Sequence, residues 1–67
     1  MYPFSTASEA MAQGTSILNS STGDVAVSVV CGGVGRFRVA AHSEYGRALL
    51  NPGESLSATM LRDGQIV

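Results

Sequence analysis

Apolar and polar residues follow a helical spacing near the start of the chain. Thr6 and Glu9 have the spacing of a capping box, in which each side chain satisfies a backbone amide at the start of a helix. One helical stripe then carries Ala7, Ala10 and Met11. Gly14 suits the position just after a helix end. The pattern predicts a short helix over 7–13, which has to dock on a surface because so short a helix is unstable alone. The alternative is an extended arm that orders on a partner.

A strand-type alternation replaces the helical spacing after Asp24. Residues 25–30 and 36–42 alternate with a period of two, and a glycine-rich turn over 32–35 joins them. Placing all apolar residues on one face puts Val29 opposite Phe37 and His42 opposite Asp24. The other face then carries Ser28, Arg36, Arg38 and His42. These two runs predict a β-hairpin with one core face and one polar face.

Three further short runs extend the β pattern to the last residue. Residues 47–50 predict a third strand, and the alternation over 55–60 predicts a fourth, after a Pro-Gly turn. Asp63 and Gly64 suit a hairpin turn before a final strand of three residues, which could pair with a neighbouring chain. The predicted fold is mostly β: a small antiparallel meander or sandwich with an N-terminal arm or short helix. The predicted division is 1–23 for the arm or helix and 24–67 for the β domain.

Size and composition point to a chain that associates with others. The 67 residues include four Arg, no Lys and five acidic residues, and only 13% are charged against about 25% in an average domain. This balance excludes a basic nucleic-acid binder. So small a domain has little core and needs disulfides, a metal or assembly. Cys31 cannot form an internal disulfide alone, and with His42 it cannot complete a zinc site. Assembly is the remaining expectation.

The residue types that support catalysis are present but badly placed. The turn over 32–35 lacks the spacing and the following helix of a phosphate-binding loop. In the predicted hairpin Cys31 lies beside the turn and His42 at the far end, too far apart for proton transfer. His42 with Asp24 is interpreted as a surface ion pair. We therefore expect no enzyme activity, no cofactor and no bound metal.

Apolar residues in the weakly structured N-terminal part are the main candidates for partner contacts. They can cover the chain's own sheet or dock on another chain, and the need for assembly favours docking on another chain. Arg36 and Arg38 could bind an anion, but the acidic net charge favours a solvated face or a salt bridge between subunits. The full predicted protein interface is Tyr2, Pro3, Phe4, Met11, Ile17, Leu18, Arg36, Arg38 and Ile66.

Three runs of the sequence resemble small phage virion proteins that decorate or cement capsids. They are Thr-Ser-Ile-Leu-Asn-Ser (15–20), Gly-Asp-Val-Ala-Val-Ser-Val (23–29) and Leu-Asn-Pro-Gly-Glu-Ser-Leu (50–56). The resemblance implies a structural accessory subunit of a larger particle, homo-oligomeric or bound to larger subunits. A small inhibitor or regulatory module that pairs an edge strand with its target is the alternative. Because no signal peptide or membrane span is predicted, a virion or cytoplasmic location is expected.

Overall fold

Three antiparallel strands form a sheet, and a helix packs on one of its faces. A computed structural model describes residues 1–64 and Ile66. The elements, in chain order, are α1 (Ala7–Ser20), β1 (Val25–Gly33), β2 (Arg36–Ser43) and β3 (Ser55–Leu61). The strand order across the sheet is β2-β1-β3. The predicted class, mostly β with an N-terminal helix, is confirmed.

The helix begins where the sequence predicts and ends later than predicted. Thr6 caps it, since its hydroxyl oxygen accepts a hydrogen bond from the Glu9 amide at 3.2 Å. Gly14 does not end the helix, because α1 continues to Ser20. A Cβ atom on Gly14 would collide with the methyl group of Met60. This glycine therefore permits a close approach between α1 and β3, which a sequence pattern cannot distinguish from a helix end.

The hairpin of β1 and β2 forms, but its register differs from the prediction by two residues. Val29 lies opposite Val39, and His42 lies opposite Ala26, so the predicted His42–Asp24 pairing is wrong. The cause is the position of the turn: the strands reverse at Val34 and Gly35, beyond the pair of Gly33 with Arg36, and Gly32 bulges out between that pair and the next one. Because a shift of two residues preserves the side-chain alternation, Ser28, Arg38 and His42 still share a face.

The last strand pairs with the first strand of the hairpin, not with the second. Residues 44–54 therefore have to cross from one edge of the sheet to the other, and the predicted strand over 47–50 is irregular backbone. The crossing passes over the face opposite the helix, where the Arg38 guanidinium donates a hydrogen bond to the Leu49 carbonyl at 2.9 Å. We call residues 44–54 the crossover.

The helix and the crossover bury the central strand from both sides. On the helix face the buried side chains are Ala10, Leu18, Val27, Val29 and Met60. Around them pack the half-buried side chains of Phe4, Met11, Ile17, Val25, Phe37 and Val39. On the crossover face Ala26 and Val30 are 0% exposed and Ser28 is 1% exposed. Five consecutive residues of β1 are thus buried, which is typical of a strand covered on both faces.

Short segments from the two ends of the chain lie along the outer edges of the sheet. At the edge of β2, Phe4 and Phe37 exchange two backbone hydrogen bonds of 3.2 and 2.9 Å. At the edge of β3, Ile66 forms a bridge with Met60. The predicted final strand is otherwise outside the described residues, because it includes Gln65 and Val67. No helix in the described part of the chain is long and apolar enough to cross a membrane.

Candidate functional site

A row of three polar side chains crosses all three strands on the crossover face. The hydroxyl oxygen of Ser28 lies 2.7 Å from Nε2 of His42 and 3.0 Å from the hydroxyl oxygen of Thr59. His42 Nδ1 lies 2.7 Å from the carbonyl oxygen of Ser43. A carbonyl only accepts, so Nδ1 carries the proton of the neutral ring. Nε2 then accepts from Ser28, and Ser28 accepts from Thr59.

The contact of Ser28 with His42 has the geometry of a serine activated by a base. Ser28, however, is only 1% exposed and lies beneath the crossover, so a substrate has no route to its hydroxyl group. Cys31 lies opposite Phe37, five residues along β2 from His42, and this corresponds to about 16 Å. The geometry therefore brings a buried serine and a histidine together, and their contact satisfies buried polar groups.

Replacing Ser28 with alanine is expected to lower the free energy of unfolding by about 1–3 kcal/mol, because His42 Nε2 loses its donor inside the fold. The measurement is chemical unfolding followed by circular dichroism, together with the ¹⁵N shifts of the His42 ring, which report the Nδ1–H tautomer in the native protein. Ser57→Ala is the matched control, since Ser57 is exposed in the same sheet. Equal losses of unfolding free energy in the two variants would contradict a buried hydrogen-bonded row.

A second polar cluster is built around Glu54, near the other end of the sheet. The Arg38 guanidinium donates to both carboxylate oxygens, from Nε at 2.8 Å and from Nη2 at 2.7 Å. The Tyr2 hydroxyl donates to Glu54 at 2.7 Å, and so does the Asn51 amide. The Glu54 side chain is 2% exposed. One buried carboxylate thus links the N-terminal segment, β2 and the crossover.

The electrostatics of this cluster stabilise the ionised carboxylate. Hydrogen bonds from Arg38, then from Tyr2 and the Asn51 amide, hold the pKa of the Glu54 carboxyl well below its usual range. The same carboxylate raises the pKa of the Tyr2 hydroxyl through their hydrogen bond. The sequence analysis missed Glu54, because the only visible signal was its position at the end of a Pro-Gly turn.

The residues predicted to contact another chain are divided between the core and the surface. Leu18 is buried, and Phe4, Met11 and Ile17 pack against the helix-face core. Tyr2 and Arg38 are half-buried and engaged with Glu54. The predicted interface residues that are exposed are Pro3, Arg36 and Ile66. That these nine residues contact another chain stays a prediction.

Three leucines that the sequence analysis did not select are exposed in the crossover and at the start of β3. Leu49 is 90% exposed, Leu50 is 45% exposed and Leu56 is 50% exposed. Leu56, Val30 and Arg38 form one row across the sheet, and the Leu49 carbonyl accepts from Arg38. We call Leu49, Leu50 and Leu56 the leucine patch.

A shallow groove of about 200 Å³ lies on the opposite side of the protein, between α1 and β3. Its apolar lining includes Met11, Leu18, Met60, Leu61 and Ile66. At the exposed end of the groove Arg62 donates to the Gly23 carbonyl at 2.8 Å. The groove is a second apolar surface, and its two methionines can adapt their shape to what they contact.

The described residues hold no metal-binding cluster. Among residues 1–64 and Ile66, no three His, Cys, Asp or Glu side chains come together in a way that could hold a metal ion. No protein-family model, curated protein or solved structure matches the chain. The features that can act on another molecule are the leucine patch, the groove and the edge of β2.

Proposed function

We propose that this protein is a structural assembly subunit that binds other protein chains through its leucine patch. The observation that supports this proposal most directly is the exposure of the patch, since Leu49 is 90% exposed in a chain of 67 residues. Covering a leucine contributes about 1.5–3 kcal/mol. Exposed apolar clusters on small proteins mark interaction surfaces. Association with a partner stabilises the protein by covering these leucines.

The backbone beneath the patch is held in place, which favours binding. Arg38 bonds the Leu49 carbonyl, and Glu54 accepts from the Asn51 amide, so Leu49 and Leu50 lie between two fixed points. A surface ordered before binding loses less conformational entropy on association. Arg38 and Glu54 also neutralise each other, so a partner does not have to desolvate an unpaired charge there.

The particular role proposed is an accessory subunit of a larger particle, such as a phage virion. The resemblance of the runs 15–20, 23–29 and 50–56 to small virion proteins supports this role. The third run includes Leu50 and Leu56, and it also contains Glu54 and Asn51. The low content of charged residues, 13%, also supports it, because charged residues are depleted in the centres of protein interfaces.

An inhibitor or regulatory module that pairs its edge strand with a target is the second candidate, and β2 supports it. The backbone amide and carbonyl of Phe37 point away from β1, toward Phe4. Because backbone groups alternate in direction along a strand, the amides and carbonyls of Val39 and Ala41 also point away from β1. No described residue bonds these outward groups. A target strand could bond this part of the edge.

The test of the assembly role compares two variants by gradient sedimentation from the native source. Replacing Leu49 and Leu50 with serine should move the protein from the particle fraction to the free fraction, because the apolar contact is lost. Val34→Ser is the matched control, since Val34 is 103% exposed in the β1–β2 turn. A wild-type chain found only as a free monomer, or a leucine variant that stays with the particle, contradicts the proposal. A stable complex with one soluble protein supports the second candidate.

A further inference from the structure

Residues 1–5 form a short extended segment, which we call the strap, along the outer edge of β2. Phe4 exchanges two backbone hydrogen bonds with Phe37, and its ring packs against the helix-face core. Tyr2 donates its hydroxyl hydrogen to Glu54 at 2.7 Å. The Tyr2 ring lies against Gly32, where a Cβ atom would collide with it. The strap is therefore held by a tyrosine site and a phenylalanine site that are two residues apart.

The residues that receive the strap belong to the sheet, the crossover and the helix-face core. Phe37, Gly32 and Glu54 make the same contacts whichever chain supplies the tyrosine and the phenylalanine. The exposed residues Ser5 and Thr6 join the strap to the helix, which begins at Ala7. A segment that is held at one edge and joined by a short exposed hinge is the arrangement that permits exchange between identical chains.

We propose that the strap exchanges between copies of this chain, so that the strap of one copy occupies the β2 edge of a second copy. This inference rests on the proposed assembly role and names one partner for it, the chain itself. The exchange gives Tyr2 and Phe4 a direct part in assembly while they keep the contacts described above. It also keeps the Phe37 part of the β2 edge covered, because an uncovered edge strand associates without specificity.

Concentration decides between the closed and the exchanged form. The contacts are the same in both forms, so the difference is the entropy of bringing two chains together. A short tether holds its segment at an effective concentration on the order of millimolar. The closed form therefore dominates in dilute solution. The exchanged form becomes the more abundant one at about 1 mM. Neighbouring subunits in a particle easily reach this concentration.

The chemistry of the receiving site favours a second copy over an unrelated strand. An occupant has to place a hydroxyl group at Glu54 and a flat ring against the bulged Gly32. It also has to place an apolar ring beside Phe37 two residues later. The strap Met-Tyr-Pro-Phe-Ser satisfies all three requirements. A foreign strand that lacks this pattern could use only the backbone groups.

Mixing two complementary variants tests the exchange. The donor variant is Gly32→Ala, whose added methyl group collides with the Tyr2 ring, so that it weakens the hold on its own strap and leaves the sequence of the strap intact. The receiver variant combines Tyr2→Ala with Phe4→Ala, which empties the receiving site. With the receiver labelled with ¹⁵N at about 1 mM, adding an equal amount of donor should return the Phe37 amide signal to its wild-type position. Sedimentation should show the mass of two chains.

Two controls make the result decisive. With Gly46→Ala as donor, the Phe37 amide signal should recover little, because the strap of this donor stays docked. A Cβ atom at Gly46 makes only ordinary contacts, the nearest at 3.6 Å. A Gly32→Ala chain without residues 1–5 should restore nothing. If the double receiver variant does not fold, Tyr2→Ala alone replaces it. No recovery of the Phe37 signal, or equal recovery with the strapless donor, overturns the proposal.

A last experiment separates this inference from the assembly role. The same mixture is prepared with Leu49 and Leu50 replaced by serine in both chains. Recovery of the Phe37 signal in this background supports strap exchange even where particle binding by the leucine patch has failed. Particle binding by a wild-type chain that shows no exchange supports the leucine patch alone.

Discussion

Leu18→Ala is expected to lower the free energy of unfolding by about 2–5 kcal/mol, because it leaves a cavity between the helix and the sheet. Leu18 is 7% exposed and packs in the core with Val27 and Met60. The total stability expected for 67 residues is about 3–10 kcal/mol at roughly 0.05–0.15 kcal/mol per residue. This one truncation therefore removes a large part of the stability of the fold.

The matched control is the same substitution at an exposed leucine. Leu49→Ala should change the free energy of unfolding by less than about 0.5 kcal/mol, because Leu49 is 90% exposed. Urea unfolding followed by circular dichroism measures both variants. Equal losses at the two positions would mean that α1 does not pack on the sheet as described. Leu49→Ala should also assemble poorly although it folds normally, as the Leu49 and Leu50 serine variant should.

Glu54→Gln is expected to destabilise the protein strongly at neutral pH, and this loss should shrink in acid. At neutral pH the amide places an N–H group beside the donors of Arg38 and Tyr2, so the ionic hydrogen bonds are lost. Since the folded-state pKa of the Glu54 carboxyl is depressed, its stabilising effect is present above the unfolded pKa, about 4.3. It is lost as the pH falls below that value toward the folded pKa.

The measurement is the difference in urea midpoint between the wild type and Glu54→Gln at pH 7, 5, 4 and 3. Taking the difference cancels the titration of the other carboxyl groups. Glu44→Gln is the control, because Glu44 makes no hydrogen bond to Arg38 among the described contacts. A difference that stays constant from pH 7 to pH 3 would show that Glu54 is not held as a buried carboxylate. Loss of the Tyr2 contact should also loosen the strap.

The local elements of this fold are readable from the sequence because each depends on neighbouring residues. The capping box of Thr6 and Glu9 marks the start of the helix, and the alternation of valines marks β1. The same alternation assigns Ser28, Arg38 and His42 to one face. These inferences hold because the periods of helix and strand are fixed by backbone geometry.

The features that sequence analysis missed depend on contacts between distant parts of the chain. Gly14 reads as a helix end, but its cause is the methyl group of Met60, far along the chain. Gly32 reads as part of a turn, yet it is a bulge that shifts the register. The role of Glu54 depends on the crossover, since only that path brings it to Arg38 and Tyr2. The leucine patch depends on the same path.

The burial of β1 on both faces implies a risk of aggregation while this chain folds. Residues 25–31 read Val-Ala-Val-Ser-Val-Val-Cys, a run without charge, proline or glycine. Such a run is the kind of segment that forms amyloid when it is exposed. Until β3 and the crossover are in place, one side of this strand and one of its faces are bare. Translation that stalls before β3 is made therefore releases a fragment prone to fibril formation.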